Sequence, residues 1–212
     1  MKRVKQCVST VFFMVLSFSA VAHPHSFISL HSEVVVKDGL LTGFKMHWTM
    51  DEITSSDLLY DAGNAKPGSE VWKKLAAEVM ANVLGQHYFS ELWHNGQRVK
   101  FANRPDGYGL ARSGMQAVLT FTLPLATPQP IAGQTFTLST FDPTYYVDMF
   151  YDRDSDFSLP ADVRSSCKAT VMTPKPNDKM LSYAQSLDKA DAPPEEMDLG
   201  NYFAQKVTLT CQ

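Results

Sequence analysis

Residues 23–51 read HPHSFISLHSEVVVKDGLLTGFKMHWTMD, and the alternation in this stretch decides the fold class. Ile28, Leu30, Val34 and Val36 hold even positions, while His25, Ser29, His31 and Glu33 hold odd ones; Phe27 and Val35 are the apolar exceptions. After Lys37-Asp38-Gly39 the pattern resumes: Leu40, Phe44, Met46, Trp48 and Met50 are even, Lys45, His47, Thr49 and Asp51 odd. A period of two marks half-buried strands, and the turn residues between them mark a hairpin. A two-residue loop would set odd positions against even ones. A three-residue loop with Gly39 in a left-handed bulge pairs even with even. The expected partners are then Val36 with Leu40, Leu30 with Met46, Ile28 with Trp48, Ser29 with His47 and His25 with Asp51. His31 and His47 become diagonal neighbours.

Upstream, Lys2, Arg3 and Lys5 precede an apolar run from Val8 to Phe18 and the small residues Ala20-Val21-Ala22. That order is a cleaved export signal over residues 1–22, with a run too short to span a bilayer. Cys7 lies before the run and leaves with it. The domain is then 23–212, and His23 becomes its first residue. The whole chain carries 19 Lys and Arg against 22 Asp and Glu; removing three basic residues leaves 16 against 22, a net charge of −6. An acidic exported chain without a basic cluster is no nucleic-acid binder. Two cysteines remain, Cys167 and Cys211. An oxidising compartment favours one disulfide between them, and a pair of metal-binding thiols is the alternative.

Downstream, Glu52 to Tyr60 has helical character. Ser69 caps a helix through Leu84, whose apolar face is Trp72, Leu75, Ala76, Val79 and Val83. Asn95-Gly96 turns a hairpin pairing Leu92 with Val99 and Glu91 with Lys100. Residues 103–114 form a Gly-rich connection. Strands are expected at Gln116–Leu123, Thr135–Phe141, Tyr145–Tyr151, Cys167–Met172 and Phe203–Cys211, with a helix over Lys179–Lys189. These elements make one α+β domain, mainly antiparallel sheet with two or three inserted helices and no membrane span in the mature part.

A first-residue histidine offers its α-amine and its ring nitrogen to one ion, and a second histidine completes a histidine brace. Pro24 removes the amide that the other common N-terminal metal site needs. Residues two apart on an extended segment point the same way, so His23 and His25 can share a cation such as Zn²⁺, Ni²⁺ or Cu²⁺. The alternative is a solvated tail. Asp51 and Glu52 follow: Asp51 either ligates or orients the metal, or it caps the next turn. Asp142 before Pro143 either starts a turn or reaches the metal, as does Asp148. His31 and His47 offer a second, weaker site or a solvated face. Asp152, Asp154 and Asp156 imitate a calcium loop, but Phe157 and Val163 stand where its glycine and glutamate belong, so a solvated acidic loop is expected. No nucleophile elbow, phosphate loop, dinucleotide fingerprint or His-Glu-x-x-His is present, so no enzyme motif supports catalysis.

His23-Pro24-His25-Ser26-Phe27-Ile28, Trp48-Thr49-Met50-Asp51-Glu52, Phe141-Asp142-Pro143-Thr144-Tyr145-Tyr146 and Gly200-Asn201-Tyr202-Phe203-Ala204 up to Cys211 together resemble an exported bacterial family, domain-of-unknown-function family 1007. The resemblance spans nearly the whole mature chain in order. It implies a periplasmic component of a metal transport system, partnered by an inner-membrane permease of the nickel/cobalt exporter-like type and in some members tied to zinc uptake. It brings no ligand set, and the chain lacks a His-rich storage loop. The expected function is therefore a periplasmic metal-binding accessory that delivers Zn²⁺, or Ni²⁺, to that permease. Two rivals stand beside it: a copper enzyme using the brace, and a metal-free adaptor subunit.

Overall fold

The computed structural model describes residues 23–187, 193–194 and 197–212. The export signal expected over residues 1–22 lies outside the described residues. Eleven strands and three helices among the described residues make an α+β domain. One sheet carries β5 (Tyr108–Ser113), β6 (Gln116–Pro130), β2 (Leu40–Met50), β1 (Ser26–Lys37) and β8 (Val147–Phe150) in that order, with β9 (Phe157–Ser158) also on β1. The second runs β10 (Cys167–Met172), β11 (Lys206–Cys211), β7 (Thr135–Thr140), β3 (Ser90–His94) and β4 (Gln97–Val99). The helices are α1 (Glu52–Ala62), α2 (Glu70–Gly85) and α3 (Asp178–Ser186). Pairing is antiparallel except for β8 and β9, which run parallel to β1.

The even-numbered face of the opening hairpin is buried, as its alternation requires: Leu30, Val34, Phe44, Met46 and Trp48 join Leu92, Phe136, Leu138, Val207 and Leu209 of the second sheet in one core. The hairpin register differs from the sequence expectation. Asp38 and Gly39 form a two-residue turn, both with positive φ (54° and 76°), so Lys37 faces Leu40 and Val36 faces Leu41. A bulge next to the turn then restores even-to-even parity, giving Leu30 opposite Trp48 and Ile28 opposite Met50. Gly43 lies at this bulge and allows β6 to approach: a Cβ there would run into the Leu123 carbonyl of β6, a contact only glycine tolerates. The expected partners Ser29–His47 and His25–Asp51 are therefore corrected: Ser29 faces Thr49, and Asp51 lies beside Phe27, donating its N–H to the Phe27 carbonyl at 2.9 Å.

Other expectations shift for local reasons. Residues 103–114 contain β5, because pairing to β6 overrides the turn propensity of Gly107 and Gly109. Ser69 stands at the α2 N-cap without a side-chain bond to the helix, and Met80 rather than Val79 completes the buried face. Lys100 lies beyond β4, and Glu91 instead meets Arg98 at 3.1 Å. Cys167 and Cys211 face each other across β10 and β11 and form a disulfide.

Candidate functional site

Three segments meet at the start of β1. His25 donates its backbone N–H to the Tyr146 carbonyl at 2.9 Å, which begins the parallel pairing with β8. That bond brings three rings together. His23 and His25 have centroids 4.8 Å apart, His25 and Tyr146 4.9 Å, and His23 and Tyr146 6.0 Å. His23 is only 4% exposed, and its Nδ1 is buried with no hydrogen-bond partner among the described residues. Burying a polar nitrogen unsatisfied costs about 1–3 kcal/mol, so an orphan of this kind asks for a ligand or an ion. Two imidazoles bound tetrahedrally to one Zn²⁺ through Zn–N bonds of about 2.0–2.1 Å stand roughly 5 Å apart between centroids. The His23–His25 spacing matches that figure.

The two expected carboxylates build the frame around these rings. Asp51 is the N-cap of α1: Oδ1 accepts the Thr54 N–H at 2.8 Å, and Oδ2 accepts the Thr54 hydroxyl at 2.7 Å and the Phe27 N–H at 2.7 Å. Burial pushes its carboxyl up, but the hydrogen bonds from Thr54, Phe27 and Ile53 outweigh this and hold it below the usual carboxylate range. Asp51 thus clamps the start of α1 to β1 two residues beyond His25. Glu52 follows it, exposed in the first turn of α1.

Asp142 does the same for the loop that carries Tyr146. Its carboxylate accepts the Thr144 N–H and hydroxyl, each at 2.9 Å, and the Val147 N–H at 3.0 Å, while its carbonyl accepts the Tyr145 N–H. The late Gly200 segment locks onto this loop. A Cβ at Gly200 would collide with the Asp142 carbonyl, the Gly200 N–H donates to the Pro143 carbonyl at 2.9 Å, and Tyr145 stacks on Phe203 at 3.9 Å. Two motifs about sixty residues apart in the sequence are therefore one packed unit. Asp148, facing Phe27 across the parallel pair, is partly buried, and that burial raises its carboxyl above the usual range. Burial and the Asp148 charge together push the Tyr145 hydroxyl up to about 12. Among the described residues no three His, Cys, Asp or Glu side chains converge as a metal-holding group.

His31 and His47 lie elsewhere, on the odd-numbered face of the same sheet. The two-residue turn and the bulge together make them direct cross-strand partners rather than diagonal neighbours, with ring centroids 5.9 Å apart. They line a cleft of about 630 Å³ walled by the Asp106–Gly109 strand entry and by Ser155, Asp156 and Ser158. Burial, and then the nearby His31, hold His47 below the usual imidazole range. The acidic loop is not uniformly solvated as expected. Asp152 accepts the Ser29 hydroxyl at 2.6 Å, and Asp156 is buried 3.3 Å from His31 Nε2, its carboxylate also held by the Arg153 N–H at 3.0 Å. Tyr146 and Asp156 were not legible as site residues. Each reaches its histidine across more than a hundred residues of chain, and no local spacing records that.

Comparison with known proteins adds a family and one relative. The family described as "Protein of unknown function (DUF1007)" matches residues 8–211. A Haemophilus influenzae protein described as "Uncharacterized protein" is 40% identical over 200 residues, covering 93% of this chain and 95% of the relative. No solved structure matches significantly.

Proposed function

This chain belongs to the DUF1007 family, and from that premise we propose that it is a periplasmic metal-binding accessory protein delivering Zn²⁺, or Ni²⁺, to an inner-membrane permease. The observation that carries the reading is the pair of imidazoles 4.8 Å apart, with the buried Nδ1 of His23 left without a hydrogen bond among the described residues. Removal of residues 1–22 would free the His23 α-amine, and Nδ1 is the ring nitrogen that closes a chelate with it. His23 and His25 are then the ligands. Asp51 and Asp142 orient them by clamping β1, α1 and the Tyr146 loop, with Glu52 and Asp148 flanking.

Two histidines and an amine leave coordination positions open, which suits a protein that must release its cargo. Imidazole and amine nitrogens favour borderline cations over Ca²⁺ or Mg²⁺. No described helix is long and apolar enough to cross a membrane, and the disulfide suits an oxidising compartment. The permease is the partner that the family resemblance implies. Zn²⁺ titration of protein recovered from the periplasm should show a tight equivalent that disappears in the His23→Ala, His25→Ala variant. Retention of full affinity in that variant, or a processed terminus other than His23, rejects the assignment.

A further inference from the structure

The opening hairpin carries a second histidine pair that the reading above leaves idle. His31 lies six residues past His25, roughly 20 Å along an extended strand, so the two pairs cannot share an ion. We propose that the cleft over His31 and His47 is a separate binding site for a divalent transition-metal ion, with both imidazoles as ligands and Asp156 holding His31 in place.

The first support is the pairing itself. Direct cross-strand neighbours have Cβ atoms about 4.5–5.5 Å apart, the spacing at which two imidazoles can converge on one ion. Ring centroids at 5.9 Å are slightly wider than the roughly 5 Å of a tetrahedral pair, and an opened N–metal–N angle absorbs the difference. The second support is independent and lies on another segment. Asp156 is 5% exposed and sits 3.3 Å from His31 Nε2. Metal-binding histidines regularly turn their other ring nitrogen toward a carboxylate, which fixes the tautomer and raises ligand basicity. The contact is an ion-pair approach to Nε2 from an oxygen that also meets the Arg153 guanidinium at 3.4 Å, so Nδ1 is the ring nitrogen of His31 that Asp156 does not engage.

Three carboxylates, Glu33, Asp106 and Asp156, line the cleft; Lys45 pairs Glu33 at 3.0 Å and Arg153 pairs Asp156 at 3.4 Å, which leaves Asp106 without an ion pair among the described residues. The volume of about 630 Å³ far exceeds one ion, so the remaining coordination positions stay open to water or a small chelator. A two-ligand site of this kind exchanges its metal readily. It gives the protein a second loading point on the opposite half of the strand from His23 and His25.

The test uses the His23→Ala, His25→Ala protein, in which the first pair is gone, so failure of one site leaves the other readable. Zn²⁺ titration followed by ¹H–¹⁵N imidazole spectra should move the His31 and His47 ring signals together, saturating at a single equivalent. Adding His31→Gln and His47→Gln should weaken that binding at least 100-fold with the unfolding midpoint unchanged. Asp156→Asn should keep the stoichiometry and weaken binding about 10- to 100-fold. The proposal is overturned if the two ring signals fail to respond to Zn²⁺, or if the His31→Gln, His47→Gln protein binds as tightly as its parent. Because the spectra are read before either ligand is replaced, a folding defect in the later variants cannot mask the result.

Discussion

Asp51 is the residue on which structural and metal-binding roles separate most cleanly. Replacing it with alanine removes three hydrogen bonds of 2.7–2.8 Å: two from Thr54 within the cap and one from the Phe27 N–H of β1. Loss of an N-cap costs about 1 kcal/mol. The charge-assisted bond to Phe27 is solvent-accessible, so water replaces part of it, and about 1–2 kcal/mol is a fair share for it. The sum is about 2–3 kcal/mol, or about 5–10 °C in Tm at about 2–4 °C per kcal/mol for a domain of this size. The pH dependence has a definite sign. The folded carboxyl titrates below its unfolded value of about 3.9, so its contribution is full above that pH and fades as pH falls through the folded value. Thermal unfolding by circular dichroism should therefore show the gap between native and Asp51→Ala protein at pH 7 and pH 5, and show it closing below about pH 4. Asp51→Asn, which caps about as well as aspartate, should lose less than half as much and keep its Zn²⁺ affinity within a few-fold. A Tm change under about 2 °C for the alanine variant would refute the clamp. A 100-fold loss of Zn²⁺ affinity in Asp51→Asn would make the carboxylate a ligand instead.

Two further outcomes follow from the same region. Gly200→Ala places a methyl group against the Asp142 carbonyl and should cost about 2–3 kcal/mol in urea unfolding; an unchanged midpoint would show that the two segments are not locked together. Asp148 has the opposite sign from Asp51: burial raises its folded carboxyl, so stability falls as pH rises through the unfolded value of about 3.9. Asp148→Asn should therefore be more stable than the native protein at pH 7 and indistinguishable from it near pH 3, and a loss of stability at pH 7 would contradict the burial account.

Features that are periodic or adjacent along the chain were legible before any fold was known. Alternation assigned the core face from Ile28 to Val34 and from Phe44 to Met50, because side chains on a strand alternate whatever the strand pairs with, but next to the turn Leu41 is buried where the pattern had Leu40. Asn95-Gly96 placed its hairpin because the turn needs positive φ, which those residues accept. The neighbouring positions of His23 and His25 were visible for the same local reason. Tertiary structure decided everything that depends on a partner. The close approach of Leu123, eighty residues away, requires glycine at position 43, and the two-residue turn together with the adjacent bulge turned His31 and His47 from diagonal into opposite neighbours. The parallel direction of β8 left no trace in its alternation, since parallel and antiparallel strands share the same period. Asp156 gained its place beside His31 only when β9 paired with β1. Hydrophobic patterning acts between residues a few positions apart, whereas a site is assembled by contacts whose energy depends on distance in space and not on distance along the chain.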